Sequence, residues 1–311
     1  MIFVTGGCGF IGSNFVHYLS KQTDEPVVIL DKLTYASDVG NLHPLQTPVV
    51  RVDLADKTWL SNIFLNYKPK KIFHFAAESH VDNSIKNVIP FIESNVIGTV
   101  NLLQLSIDYD IEVFHHISTD EVYGALDYDS QSFTEQTPYN PQNPYSASKA
   151  SSDHFVMAFH NTYGIPVKIT NCSNNYGPRQ HKEKLIPKVI KNILQEKKIP
   201  VYGEGKNIRD WIYVEDHCEA IYEVFLNGKV GEKYNIGGEC ELQNLDLIHM
   251  ILDIMNGDKN LIEFISDRPG HDLRYSIDND KIRKELYWNP KTSIKNGLEK
   301  TIQWYNDIYS S

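Results

Sequence analysis

Three glycines separate an apolar run from an amphipathic segment near the start of the chain. Gly6, Gly9 and Gly12 follow the run IFVT and precede the helix-like segment 11–20. In a strand–turn–helix unit the first glycine permits a tight turn, and the second lets the backbone approach a pyrophosphate. The third lets the helix pack closely on the sheet. The pattern predicts a dinucleotide-binding unit, and a glycine-rich structural turn is the alternative.

An acidic residue follows at the spacing that such a unit requires. The run VVILD ends in Asp31, 19 positions past Gly12, and Lys32 comes next. A carboxylate there can accept both hydroxyl groups of a ribose and would repel a 2′-phosphate, which favours NAD over NADP. The positive charge of Lys32 weakens that preference slightly.

Short apolar runs alternate with amphipathic segments over the first half of the chain. The runs predict strands at residues 2–5, 27–30, 49–52, 71–75, 113–118 and 167–171, and the segments between them predict helices at 11–20, 59–67, 91–109 and 146–163. Such alternation is typical of an α/β fold with a parallel sheet covered on both faces. Beyond the motif NNYGP the rhythm is less regular, with a turn-rich PVYGEG and a break at Pro269-Gly270. We predict a nucleotide-binding domain over 1–173 and about 207–238, and a smaller, interleaved substrate-binding domain over 174–206 and 239–311.

Charge and cysteine content argue against several other functions. The chain has 311 residues, 30 Lys and Arg against 40 Asp and Glu, and a net charge of −10, so nucleic acid and membrane surfaces are not expected partners. Its four cysteines lack metal-ligand spacing, and no metal is expected. No apolar run approaches the ~20 residues that span a bilayer. With no room for a signal peptide before the first strand, the sequence predicts a cytoplasmic protein.

A tyrosine and a lysine four residues apart open the predicted helix at 146–163. Tyr145 and Lys149 form Y-x-x-x-K, which places both side chains on one helix face. A nearby ammonium would stabilise phenolate and lower the tyrosine pKa. The bare pattern has little specificity, because three other pairs match it: Tyr67/Lys71, Tyr202/Lys206 and Tyr287/Lys291. Proline or glycine interrupts those three, so Tyr145 is the candidate base.

Two adjacent carboxylates follow the predicted strand at 113–118. Thr119, Asp120 and Glu121 stand where ligands collect in an open α/β sheet, beyond the carboxyl end of a strand. Taken alone, the triplet fits a helix cap with acidic residues in the first turn equally well. The alternative is an acid and a base directed at one substrate.

These motifs together resemble the extended branch of the short-chain dehydrogenase/reductase superfamily, which implies a Rossmann-type doubly wound sheet and NAD. The resemblance becomes specific along the whole chain, where ten motifs match the dTDP-glucose 4,6-dehydratase family in order: TGGCGFIGSNF, DKLTYAS, HFAAESHVDNSI, ISTDEVYG, NPYSASKASSDH, NCSNNYGP, EKLIP, RDWIYVEDH, YNIGG and RPGHDLRY. Asn83 departs from the family's usual arginine and Cys8 from its usual alanine. The interval between Glu121 and Tyr145 is short for the family.

The resemblance implies a mechanism and a set of binding residues. Tyr145, assisted by Thr119 and Lys149, would deprotonate the C4 hydroxyl of the sugar while hydride passes to NAD. Glu121 would then remove the C5 proton, and Asp120 would protonate the departing C6 hydroxyl. The cofactor residues implied are Gly6, Gly9, Phe10, Ile11, Gly12, Asp31, Lys32, Thr34, Asp53, Leu54, Ala76, Ala77, Tyr145 and Lys149. The substrate residues implied are Ser79, His80, Asn174, Lys184, Leu185, Tyr202, Arg209, Asn244 and Arg274.

Several alternatives stay open from the sequence. Each separate basic residue could be a solvated side chain, His80 could be structural, and His115-His116 are interpreted as packing residues rather than metal ligands. A UDP-glucose 4,6-dehydratase or another UDP-hexose enzyme is the alternative activity, although RPGHDLRY favours the dTDP family. An NAD-binding sensor is the alternative outside enzymes. By resemblance the protein is expected to form a homodimer through helices 91–109 and 146–163.

Overall fold

The computed structural model describes residues 1–267 and 272–310 of the chain. Its strands are β1 Ile2–Thr5, β2 Val27–Asp31, β3 Val49–Arg51, β4 Lys71–His74, β5 Val113–Thr119, β6 Val167–Cys172, β7 Asn174–Tyr176, β8 Ile199–Tyr202, β9 Ile208–Tyr213, β10 Glu232–Ile236, β11 Glu241–Gln243 and β12 Ile262–Ile265. Its α-helices are α1 Phe10–Leu19, α2 Lys57–Tyr67, α3 Val81–Lys86, α4 Ile89–Phe91, α5 Gly98–Asp108, α6 Pro144–Tyr163, α7 Leu185–Leu194, α8 Val214–Asn227, α9 Asn244–Met255, α10 Asp280–Leu286 and α11 Ile294–Ser310. A π-helical segment, Ile92–Ile97, joins α4 to α5. Pro269-Gly270 and the first four residues of RPGHDLRY lie outside the described residues.

The six predicted strands form most of one parallel sheet, in the order β10-β6-β5-β4-β1-β2-β3. Each predicted strand end lies within one residue of the observed one, because continuous β-branched and apolar runs fit a strand buried on both faces. The order reverses between β1 and β4. Ligands bind at such a switch point, beyond the carboxyl ends of the strands.

Two apolar layers cover this sheet and confirm the doubly wound α/β prediction. Phe15 of α1 and Ile221 of α8 belong to the core cluster on one face. Phe64 of α2, Leu102 of α5 and Val156 of α6 belong to the cluster on the other. Helix 91–109 was predicted as regular, but the structure interrupts it with the π-helical segment.

The remaining strands form two small sheets beside the large one. One has the order β11-β9-β7, the other pairs β12 with β8, and helices α7, α9 and α11 pack on them around a separate apolar core. Within the predicted segment 207–238, α8 and β10 pack with the large sheet while β9 belongs to a small one. The domain boundaries therefore stay a prediction. Among the described residues, no helix combines the length and the apolar character needed to cross a bilayer.

Candidate active site

The glycine loop forms a close-fitting cradle at the switch point. Gly6 has a φ of +68°, and a Cβ added there would lie 2.7 Å from Cα of Ala76, which follows β4. A Cβ on Gly12 would lie 2.3 Å from the carbonyl oxygen of Gly6. Gly9 is the N-cap of α1 and has no side chain with which to cap it. The backbone N–H groups at the start of α1 can therefore bind an anionic group such as a pyrophosphate.

Asp31 holds this loop as well as ending β2. One of its carboxylate oxygens accepts from the backbone N–H of Cys8 (3.0 Å), and the other accepts from that of Leu33 (2.8 Å). Lys32 pairs with Asp53 at 2.6 Å, so its charge is largely offset. This pairing removes much of the weakening of NAD preference that Lys32 introduced in the sequence.

Most of the predicted cofactor residues line one cleft beside the glycine loop. The predicted residues found there are Gly6, Gly9, Phe10, Ile11, Gly12, Asp31, Lys32, Thr34, Ala76, Ala77, Tyr145 and Lys149. As far as the described residues define the cleft, Asp53 and Leu54 do not line it. Asp53 pairs with Lys32, and Leu54 is buried with its carbonyl accepting from Asn101 Nδ2 at 2.9 Å. The structure gives these two residues supporting positions in place of the predicted contacts.

The sequence did not single out several other residues of this cleft. Tyr35 follows β2, Glu78 follows β4 and Cys172 ends β6. Each stands at the carboxyl end of a strand of the large sheet. That position is the signal by which they could have been found.

The start of α6 positions Tyr145 and Lys149. Asn143 caps the helix in a reciprocal arrangement with Ser146, and Pro144 occupies the first turn. Lys149 is 4% exposed, and its Nζ donates to the carbonyl oxygen of Ile117 in β5 at 2.9 Å. The cap and this bond fix both side chains at the floor of the cleft.

In the chain without bound ligands, burial has the largest effect on the pKa values of Tyr145 and Lys149. It raises the pKa of Tyr145 well above its ordinary value, the charge of Glu121 adds to the rise, and a hydrogen bond from Thr119 opposes it. Burial also lowers the pKa of Lys149. In the chain alone desolvation therefore dominates the pKa of the tyrosine, and the lowering of that pKa by the ammonium stays a prediction.

The Thr119–Glu121 triplet forms a cap and also places two acids in the cleft, of which Asp120 is buried and Glu121 half-buried. The Thr119 side chain accepts from the backbone N–H of Glu121 (3.3 Å) at the start of a 3₁₀ turn, Asp120–Tyr123. All three residues also line the cleft. Asp120 is 2% exposed, and its Oδ2 has no hydrogen-bond partner among the described residues. The cap is therefore present, and the position of both carboxylates in the cleft is compatible with an acid and a base, which stays a prediction.

The surroundings of the two carboxylates differ. Burial and the charge of Glu121 raise the pKa of Asp120 well above its ordinary value. Burial also raises the pKa of Glu121, but a hydrogen bond from Asn143 and the charges of Arg209 and Lys184 oppose that rise. Asp120 is thus favoured as the protonated member and Glu121 as the ionised one.

A second cleft adjoins the first and is lined by the predicted substrate residues His80, Asn174, Lys184, Leu185, Tyr202, Arg209 and Asn244. Ser79 lines the first cleft, while Glu121, Asn174 and Lys184 line both, so the two are continuous. The guanidinium of Arg209 lies 4.5 Å from the ring centre of Tyr275, which holds this cation in the second cleft.

Arg274 is the predicted substrate residue that the structure places elsewhere. It is 8% exposed, its Nε and Nη2 contact Glu241 at 2.5 and 2.9 Å, and its Nη1 donates to the carbonyl oxygen of Ser130 at 2.7 Å. Among the described residues that line the two clefts, Arg274 does not appear. These bonds give it a structural role, joining the segment after the 3₁₀ turn to β11.

The structure also locates the three histidines discussed in the sequence analysis and the two positions that depart from the family pattern. His80 caps α3, and its Nε2 lies 3.6 Å from Glu183 at the cleft. His115 and His116 are fully buried in β5. Cys8 is buried behind the glycine loop, and Asn83 lies in the first turn of α3. Among residues 1–267 and 272–310, no group of three or more His, Cys, Asp or Glu side chains is arranged to hold a metal ion.

Comparison with known proteins agrees with this geometry over nearly the whole chain. Residues 3–301 match the GDP-mannose 4,6 dehydratase family model. A dTDP-glucose 4,6-dehydratase of Haemophilus influenzae is 46% identical, over 98% of this chain and 97% of the relative. The chain belongs to the dTDP-glucose 4,6-dehydratase family. Another member, from Escherichia coli, is 47% identical over 98% of this chain and 93% of its own length.

Solved structures of the family superimpose closely. The dTDP-glucose 4,6-dehydratase DesIV of Streptomyces venezuelae, solved with NAD and TYD bound, has a TM-score of 0.96 and 44% identity, and covers 99% of this chain and 98% of that one. The fold alone does not separate activities. A UDP-glucose 4-epimerase of Thermotoga maritima reaches a TM-score of 0.93 at 27% identity, with 99% of each chain covered.

Proposed function

We propose that this chain is an NAD-dependent dTDP-glucose 4,6-dehydratase, which converts dTDP-glucose to dTDP-4-keto-6-deoxyglucose and water. One observation carries the proposal beyond the fold. Two adjacent carboxylates with different surroundings, the buried Asp120 and the half-buried Glu121, line a cleft that holds Tyr145, and Glu121 also lines a second cleft that holds Arg209. Oxidation at C4 needs the tyrosine and a nicotinamide, whereas removal of water also needs an acid and a base.

The residues present fit NAD. The Gly6–Gly12 cradle has no room for a Cβ at either end, and the start of α1 offers backbone N–H groups to a pyrophosphate. Asp31, at the end of β2, would accept from the ribose hydroxyls. When bound, NAD supplies the acceptor and later the donor of the hydride, and its cationic ring favours the phenolate of Tyr145.

Tyr145 acts first, as the base at the C4 hydroxyl. Thr119 donates a hydrogen bond that stabilises the phenolate, and the Lys149 ammonium lies one helical turn away on the same face. Burial keeps water from competing for the proton. These three residues therefore take the hydroxyl proton, the hydride from C4 would pass to bound NAD, and the resulting ketone would acidify the neighbouring C5 proton.

Elimination follows at C5 and C6. Glu121, the carboxylate whose rise in pKa is opposed by Asn143 and two cations, acts in its ionised form and removes the C5 proton. Asp120, kept protonated by burial and by the charge of Glu121, donates its proton to the C6 hydroxyl as it leaves. The hydride would return from bound NAD to C6 while a proton returns to C5, so no net oxidant would be consumed. The pair titrates jointly, as coupled carboxylates do.

The second cleft would hold the nucleoside diphosphate. Arg209 and Lys184 supply positive charge at its junction with the first cleft, and Asn174 supplies a side-chain amide. The ring of Tyr202 offers a face on which a nucleobase could stack. Arg274 takes no part in this arrangement.

The test is mass spectrometry of dTDP-glucose and UDP-glucose, each incubated separately with the purified protein and NAD. Loss of one water from dTDP-glucose, with the higher kcat/KM, is the expected result. Faster turnover of UDP-glucose would support the mechanism but refute the proposed preference for the dTDP nucleotide. If neither sugar changes while NAD binds, the activity is refuted and the NAD-binding sensor replaces it.

We also propose that the protein is a cytoplasmic homodimer. Apolar side chains are exposed along the helices predicted to pair, namely Ile92, Ile97, Ile107, Phe155 and Tyr163. The π-helical segment, α5 and α6 pack together, so these residues share one surface. A second copy of the chain would bury it. The four cysteines are free thiols, which suits a reducing compartment.

A further inference from the structure

A buried carboxylate lies one helical turn beyond Lys149. Asp153 is 1% exposed and occupies the same face of α6 as Lys149. Its Oδ2 accepts from Tyr139 OH (2.8 Å), Ser118 Oγ (2.9 Å) and Asn171 Nδ2 (3.3 Å). So many donors around one carboxylate favour its ionised form.

We propose that Asp153 is a positioning residue that keeps the Lys149 side chain a cation and thereby lets it support proton removal by Tyr145. The inference deepens the proposed dehydratase function and rests on it. It assigns Asp153 no contact with substrate or cofactor. Its effect passes through Lys149 alone.

Lys149 needs such support because of its own position. The side chain is buried and its Nζ donates to a neutral carbonyl oxygen, so its positive charge is poorly solvated. Burial lowers the pKa of Lys149, and the charge of Asp153 is the first of the influences that raise it. A buried lysine without an anion beside it tends to lose its proton.

The other titratable groups that face Lys149 do not supply that anion. His74 in β4 and His116 in β5 have pKa values lowered by burial, that of His116 to about 4, so both are neutral near pH 7. Burial raises the pKa of Cys172 in β6 to about 12, so the thiol stays protonated. Tyr145, on the same helix, is neutral in the chain without NAD because burial raises its pKa, so it supplies no anion before the cofactor binds.

Asp153 itself stays ionised. Burial opposes its charge, but the proximity of His116, whose Nε2 lies 3.1 Å from Oδ1, the charge of Lys149 and the hydrogen bond from Ser118 together lower the pKa of Asp153. Lys233 in β10 faces it from the far side, beside the Tyr123 and Tyr139 rings. Asp153 is therefore a buried anion one helical turn away from Lys149.

The first test is the pH dependence of hydride transfer from C4 in single turnovers, which isolates the oxidation from the loss of water. In Asp153→Asn the alkaline limb is expected about one pH unit or more lower than in the wild type, because the lysine loses its proton earlier. Tyr139→Phe removes one hydrogen bond to Asp153 and keeps its charge, so its alkaline limb should stay in place. A purely structural role would lower the rate equally at every pH, and that outcome overturns the inference.

The second test needs no activity. Proteins labelled with carbon-13 at lysine Cε report protonation by chemical shift, and the signal absent from Lys149→Met identifies Lys149. The wild type should show an ammonium at pH 7, and Asp153→Asn should titrate at lower pH. A neutral Lys149 in the wild type at pH 7 overturns the inference even if the variant fails to fold. If the wild type removes no water from dTDP-glucose, the proposed function fails while this titration still decides the role of Asp153.

Discussion

At the scale of single residues, Glu121 offers the sharpest separation of the two chemical stages. Glu121→Gln keeps the size of the side chain and removes the base, so oxidation at C4 should persist while water loss falls by about 10²–10⁴-fold. Reduced nicotinamide should then accumulate, visible by near-ultraviolet absorbance, with no dehydrated sugar in the mass spectrum. Glu112→Gln makes the same change at an exposed position and should behave as wild type. Normal turnover by the Glu121 variant would show that another group is the base.

When the rate of water loss is measured against pH, Asp120 should control the alkaline limb of the profile. A general acid works in its protonated form, so water loss slows as pH rises through the pKa of the pair, which burial and Glu121 raise. Glu121 works ionised, so the same step slows as pH falls through its own raised pKa. Asp120→Asn should reduce water loss by about 10²–10⁴-fold and abolish the alkaline limb. An unchanged profile, measured as rate of water loss against pH, would remove Asp120 from the step.

At the scale of elements, the contact between the glycine loop and α1 can be tested by one methyl group. Gly12→Ala would place a Cβ 2.3 Å from the Gly6 carbonyl, so α1 must move and the anion cradle must open. The expected cost is about 1–3 kcal/mol of unfolding free energy together with a loss of NAD affinity. Gly164→Ala is the control, because Gly164 has a φ of +75° but nothing within 4 Å of an added Cβ. It should lower Tm and leave NAD binding, measured by titration calorimetry, unchanged.

Element prediction succeeded where the local pattern decides the outcome and failed where tertiary contacts decide it. Strands β1 to β6 follow from their apolar runs, and α6 follows from a long segment without glycine or proline. The π-helical segment does not follow from the local sequence. It turns Asn95 inward, where Nδ2 donates to the Glu78 carbonyl (3.0 Å) and to Ser148 Oγ (2.8 Å), joining the loop after β4 to α6. The hydrophobic periodicity of residues 91–109 does not predict those hydrogen-bond partners of Asn95.

At the scale of the whole molecule, the sequence did not predict which charged residues pair with each other. Lys32 and Asp53 were assigned separately to the cofactor, and they pair with each other. Arg274 was assigned to the substrate, and it pairs with Glu241, a residue the motifs had not singled out. Each assignment depended on a resemblance between short segments, whereas each pairing depends on segments 21 and 33 positions apart meeting in the fold. The glycine loop and Asp120 line the cleft because each follows a strand end, and Tyr145 lines it because the start of α6 holds it there.

Assembly is the last property that belongs to this scale. Ile92 and Ile97 are 40% and 42% exposed on the surface proposed for the dimer, where solvent contact with apolar side chains is unfavourable. The double variant Ile92→Glu/Ile97→Glu should be a monomer by sedimentation velocity, because two copies would bury four unpaired carboxylates in their interface. Leu65→Glu changes an equally apolar residue, 59% exposed on α2, outside that surface and should leave the dimer intact. A wild-type protein that sediments as a monomer, or a double variant that still sediments as a dimer, would refute this surface as the interface.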